Sequence, residues 1–120
     1  MSMRETLSSI LLSVDGALAA FIMAYDGIPI DEAVLEQSEI DVQLLAVEYA
    51  TVLKEIKLAV NIIKAGDMEE VSISTNQTRV VMRVLNDEMF AALIMKRDGN
   101  FGKGQYLLKI KSSELIRELG

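Results

Sequence analysis

Residues 17–30 read Ala17-Leu18-Ala19-Ala20-Phe21-Ile22-Met23-Ala24-Tyr25-Asp26-Gly27-Ile28-Pro29-Ile30, and this stretch decides the fold. From Ala17 to Tyr25 the chain is apolar at both alternating sets of positions, a pattern that suits a central strand covered on both faces of its sheet. Asp26-Gly27 between two apolar runs is the strongest hairpin signal in the sequence, because the tight turn needs residues that tolerate positive φ. In the short run Ile28-Pro29-Ile30, Pro29 has no amide hydrogen to give to a ladder, which places this second strand at a sheet edge. A central strand hairpinned to an edge strand leaves the rest of the chain to supply further strands and two covering layers.

Three more strands follow in close succession, at Glu70 to Thr75, Arg79 to Leu85 and Met89 to Lys96. Their connections, around Asn76-Gln77 and Asn86-Asp87, are too short for anything but an antiparallel meander. The first places Val71, Ile73 and Thr75 on one face and Glu70, Ser72 and Ser74 on the other, as an outer strand would. The last, Met89 to Met95, is apolar on both faces and should pair beside Ala17 to Tyr25. The expected sheet is antiparallel and five-stranded, in the order 2-1-5-4-3.

The covering layers come from three helical segments. Leu7, Ile10, Leu11 and Val14 recur at i, i+3, i+4 and i+7, with Ser2 and Glu5 as a capping box and Gly16 as the stop. Residues Asp31 to Glu39 are acidic and poorly periodic, and read as a loop in which Ser38 and Asp41 are candidate caps for a long helix from Asp41 to Ala65. On that helix Val42, Leu45, Ala46, Tyr49, Val52, Leu53, Ile56, Ala59, Val60 and Ile63 fall on one broad face, the pattern of a core-facing side. Leu44, Val47, Thr51, Leu58 and Ile62 form a second, narrower stripe nearly opposite, flanked by Gln43, Lys54, Lys57 and Asn61 on one side and by Glu48 and Glu55 on the other. A small domain seldom covers both sides of its longest helix, so the outer stripe reads as an association surface, most simply for a second copy of the chain. The alternative is that other elements of the same domain cover it. Gly66-Asp67 should end this helix. After a loop from Asp98 to Gly104, Leu108, Leu115 and Leu119 mark a last, weaker helix closed by Gly120. The fold class is α+β, α-ββ-α-βββ-α, with helices on the faces of the sheet.

At 120 residues the chain has the length of one domain, 1–120, with a core sufficient to need no staple. It has no cysteine and no histidine, which excludes disulfides, the common zinc ligand sets and Cys/His or Ser/His nucleophilic pairs. A net charge of −6 argues against nucleic acid as a partner. The charge is uneven: residues 1–40 hold Arg4 against seven acids, while residues 96–120 hold Lys96, Arg97, Lys103, Lys109, Lys111 and Arg117 against three. That basic end is either a solvated face or a docking site for an acidic partner or membrane surface. The stretch Leu7 to Val14 imitates a signal peptide, but Glu5, Asp15 and three serines interrupt the imitation, and no apolar run approaches the roughly 18 residues of a membrane span. A cytoplasmic protein without membrane insertion is expected.

The element order, the Leu18 to Tyr25 strand with Asp26-Gly27-Ile28-Pro29-Ile30, the helix opening at Leu44-Leu45-Ala46, the Val71-Ser72-Ile73 strand and Gly102 before the last helix together resemble the Roadblock/dynein light chain family. That family includes MglB-type regulators of Ras-like GTPases. The likeness spans nearly the whole chain, and a profilin-like or longin-like sheet shares parts of it. What the resemblance implies is a dimer, pairing the long helices and the outer strands through Leu44, Val47, Thr51, Leu58, Ile62, Val71 and Ile73. It also implies a non-catalytic regulator or scaffold that binds a Ras-like small GTPase, with Gln43, Lys54 and Glu55 as candidate contacts and no cofactor or metal. Such a protein acts by binding one state of a switch loop better than another. An arginine finger from Arg79, Arg83 or Arg97 is the less favoured mechanism, because arginines on strands commonly serve edge protection.

Other chemical signals are weaker. Gly99 to Gly104 lacks the spacing and the Lys-Ser/Thr pair of a phosphate-binding loop, and Asp31, Glu32, Glu36, Glu39 and Asp41 lack the pattern of a calcium loop. Asp26 and Asp87 sit in turns with no nucleophile beside them, against a hydrolase. The alternative function is a small-ligand sensor, with Met23, Met82, Met89 and Met95 lining an apolar pocket.

Overall fold

The computed structural model describes residues 2–35 and 39–119. The elements run α1 (Met3–Ser13), β1 (Ala17–Ala24), β2 (Pro29–Val34), α2 (Val42–Ile62), β3 (Glu70–Ser74), β4 (Thr78–Val84), β5 (Met89–Lys96) and α3 (Phe101–Leu119). The five strands form one antiparallel sheet in the order β2-β1-β5-β4-β3, as the hairpin and meander signals require. The doubly apolar strands β1 and β5 pair in its centre, with Phe21 opposite Ala92.

Period-two alternation divides the sheet's side chains between two cores. Phe21, Met23, Val80, Met82, Phe90, Ala92 and Ile94 pack under Val42, Ala46, Ala50 and Leu53 of α2. Ala20, Ile22, Val81, Ala91, Leu93 and Met95 face the other way, against Leu7, Ile10 and Leu11 of α1 and Leu108 and Leu115 of α3. The molecule is thus three-layered, with α2 alone on one face of the sheet and α1 and α3 on the other.

Local chemistry explains the starts of the helices. The Ser2 hydroxyl accepts the Glu5 amide at 3.2 Å and donates to the Glu5 carboxylate at 3.1 Å, capping α1. Asp41 caps α2 by accepting the Leu44 amide at 3.0 Å. Candidate cap Ser38, Glu36 and the closing Gly120 lie outside the described residues.

Four expectations are corrected. The acidic stretch after Ile30 is strand through Val34, where a loop was expected, because Ala33 and Val34 pair with Ala20 and Ala19 while Asp31 reaches Arg4 at 2.8 Å. At an edge strand acids can stay partly in water, so their charge does not prevent pairing. The long helix ends at Ile62, short of Gly66, and the chain turns with Lys64 at a φ of +54°. Its core face is narrower than the periodicity suggests: Val52, Ala59 and Ile63 are exposed, whereas Ala50 is buried. Finally, α3 begins at Phe101, inside the supposed loop. Asn100 caps it by accepting the Lys103 amide at 3.2 Å, and Gly104 lets the helix lie directly on Leu93 and Met95, since a Cβ there would stand 2.8 Å from Leu93 Cδ2.

Candidate interaction surface

Among the described residues α2 is the only helix on its side of the sheet, and its outer face lies in solvent. All five residues of the sequence-derived outer stripe are exposed, Leu44 to 56%, Leu58 to 48% and Ile62 to 78%, with Val47 and Thr51 between them. Gln43, Lys54 and Glu55 are exposed beside the stripe. The helix therefore brings together in one strip the residues that the sequence suggested for association, and nothing among the described residues covers them.

A second uncovered region adjoins that strip. Val47 lies against Gly27 of the β1–β2 turn, so this side of α2 looks toward β2. By helical spacing Val52, Ala59 and Ile63, all exposed, occupy the other side of α2. Val71 and Ile73 of β3 are half-buried on the α2 side of the sheet, packed against the core together with Met68, Leu45 and Tyr49. β3 ends the sheet, and its far backbone edge has no partner strand among the described residues. Sequence periodicity assigned Val52, Ala59 and Ile63 to the core, whereas the structure leaves them exposed.

At its C-terminal half α2 is fastened by Lys57, whose ammonium donates to the Asp87 carbonyl at 3.0 Å and lies 4.5 Å from the centre of the Tyr25 ring. Tyr25 also packs on Phe90 at 5.3 Å between ring centres. Burial raises the pKa of its phenol above the ordinary value, and the Asp87 carboxylate adds to the rise.

The three candidate arginines are not gathered into a site. Arg79 stacks on Phe101, with its guanidinium carbon 4.0 Å from the ring centre. Arg83 is held by Glu70 at 3.3 Å and Glu69 at 3.9 Å, and Gln105 of α3 donates to the same Glu70 at 2.6 Å. Both lie on the α3 side of the sheet, away from the outer stripe, and tie α3 to β3 and β4. Arg97 is exposed at the end of β5, beside an open groove of about 720 Å³ that also touches Leu18, Ile40 and Gln77.

The methionine pocket expected for a ligand sensor is not formed. Met23 and Met82 pack on the α2 side of the sheet, while Met95 and Met89 pack on the α1/α3 side. The sheet separates the two pairs, and Met23, Met82 and Met95 are core filler without exposure. Among the described residues, no helix is long and apolar enough to cross a membrane.

No protein-family model matches the sequence, and no curated protein does. Solved structures match it over nearly its whole length. The chain is similar to MglC from Myxococcus xanthus, at 37% identity over 98% of this chain and 99% of that one, with a TM-score of 0.73. A Roadblock/LC7 domain from Streptomyces avermitilis shares the fold at 13% identity, covering 99% and 98% of the two chains with a TM-score of 0.83. Myxococcus xanthus MglB does so at 16% identity, over 95% and 91% of the chains, with a TM-score of 0.79. A three-layer domain with an open long helix above a five-stranded antiparallel sheet is the fold that these structures share with it. The chain belongs to the Roadblock/dynein light chain family, as its strand, turn and long helix suggest, with MglC as a relative at 37% identity.

Proposed function

We propose that this protein is a non-catalytic regulator or scaffold that dimerises and binds a Ras-like small GTPase, biasing its nucleotide state or its localisation. The observation that carries the proposal is the uncovered apolar surface of α2 in a chain of the Roadblock family. Exposed side chains of this size along the outer stripe and the neighbouring side of α2 favour burial against protein. Dimerisation is assigned to α2 and β3: Leu44, Val47, Thr51, Leu58 and Ile62 with Val71 and Ile73, joined by Val52, Ala59 and Ile63 of α2. Pairing two β3 edges would satisfy the free backbone groups of each and place two α2 helices side by side. Gln43, Lys54 and Glu55, at the polar margin of the stripe, are the proposed GTPase contacts.

Such a surface needs no reactive group. A preference of tenfold for one nucleotide state corresponds to about 1.4 kcal/mol of differential binding, within reach of a few contacts to a switch loop. The stacking of Arg79 and the pairing of Arg83 favour this reading over a mobile arginine finger.

The test is capture from the native host's lysate with the purified protein as bait, in GDP and in a non-hydrolysable GTP analogue. Recovery of a Ras-like GTPase preferentially in one state is the expected result. Absence of any GTPase in both states, with the bait folded and dimeric, would reject the regulator reading.

A further inference from the structure

The surface of α3 that faces solvent carries Lys103, Tyr106, Lys109, Ile110, Ile116 and Arg117, all exposed, with Tyr106 at 61%. Their spacing gathers them on the half of the helix opposite Gly104, Leu108 and Leu115, which lie in the core. Three cations here have no ion-pair partner among the described residues. The carboxylates of the helix are engaged: Glu114, one turn from Ile110, pairs with Lys111 at 3.5 Å, and Glu118 accepts from Thr6 of α1 at 3.4 Å. On a chain of net charge −6, an exposed face with three unpaired cations, one carboxylate already paired and interleaved apolar groups is a local inversion of the molecule's character.

We propose that α3 is a docking face for an anionic lipid surface. The face is the outer side of a helix about 28 Å long, and its charge is complementary to an anionic surface. Its side chains match the layers of a bilayer interface: Lys and Arg for lipid phosphates, Tyr106 for the headgroup level, and Ile110 and Ile116 for the start of the acyl region. The acids of α2, Glu48 and Glu55, lie on the other side of the sheet. Screening over roughly 8 Å at physiological salt keeps them from cancelling the local attraction. Three basic residues on one helix give weak attachment. Because α2 and α3 cover opposite faces of the sheet, attachment through α3 leaves the α2 surface free, and in a dimer two such helices strengthen it by avidity.

The test is flotation of the intact protein with phosphatidylcholine vesicles, with and without phosphatidylglycerol, over a salt series. Binding is expected only with phosphatidylglycerol, weakening as salt rises. The triple variant K103Q/K109Q/R117Q should bind roughly a hundredfold less while keeping its circular dichroism and oligomeric state, since it changes exposed side chains alone. The variant Y106S/I110S, which keeps every charge, should also bind less. The proposal is overturned by three results: no binding of the unaltered protein to the anionic vesicles, binding unaffected by either variant, or preference for polyglutamate over the vesicles, which would assign the face to an acidic protein.

Discussion

Tyr25 shows how one residue joins the layers and leaves a signature in solution. Its ring meets Phe90 of the sheet and Lys57 of α2, and its phenol is shielded from water beside Asp87. Because burial first and the Asp87 charge second raise its pKa, the folded protein holds the phenolic proton to higher pH than the unfolded chain does. The resulting contribution to stability is complete below the unfolded pKa of about 10 and is lost as pH rises through the raised folded value. Urea titrations across this alkaline range should therefore show the wild type losing stability more steeply than Tyr25→Phe. Lys57 is present in both proteins, so the difference between them isolates the phenol; parallel curves would show that Tyr25 does not supply it. The Asp26-Gly27 turn beside it was legible in the sequence because turn chemistry is local. The Lys57 contact was not, because it joins residues brought together only by the sheet.

Among the elements, the strands followed the sequence most closely and the segment ends least. The polar/apolar alternation of β3 and the apolar runs of β1 and β5 depend on the chain's own pleat, and they set the sheet order once edge and central strands are distinguished. The acidic strand β2 and the early start of α3 were hidden for different reasons. Pairing with Ile22 and Phe21 overrides the low strand propensity of Asp31 and Glu32, and the glycines at the start of α3 look like a loop until β5 is set beneath Gly104. Gly16 has an equally non-local role: its φ is +83°, and a Cβ there would stand 2.5 Å from the Gly99 Cα. The α1–β1 turn is thereby closed onto the β5–α3 turn, with the Lys96 amide donating to the Gly16 carbonyl at 2.8 Å. Gly16→Ala meets backbone on both counts and is expected to destabilise the fold by about 3 kcal/mol. A loss below about 0.5 kcal/mol in urea denaturation would mean that the two turns separate freely.

For the whole molecule, the asymmetry of the layers matters most. Among the described residues two helices cover one face of the sheet and a single helix covers the other, so the uncovered surface lies beside α2. If that surface is closed by a second copy, melting temperature rises with protein concentration. Leu44→Asp combined with Ile62→Asp should give a folded monomer whose melting temperature no longer depends on concentration. Sedimentation and calorimetry over the same concentration range measure both properties. An unfolded variant at high concentration would instead return these two positions to the folding core, whereas an unaltered dimer would move the interface away from both positions.

The sequence by itself determined the hairpin, the Ser2 and Asp41 caps, the sheet order and the outer stripe of α2, because each depends on the order of residues within one element or on a short turn. It also carried the family resemblance. Only the tertiary structure decided that Val52, Ala59 and Ile63 of α2 stay exposed, that Arg79 and Arg83 serve α3, and that the four methionines are divided by the sheet. Those facts depend on how far each layer extends over its neighbour, and layer overlap is set by packing between segments distant in the chain.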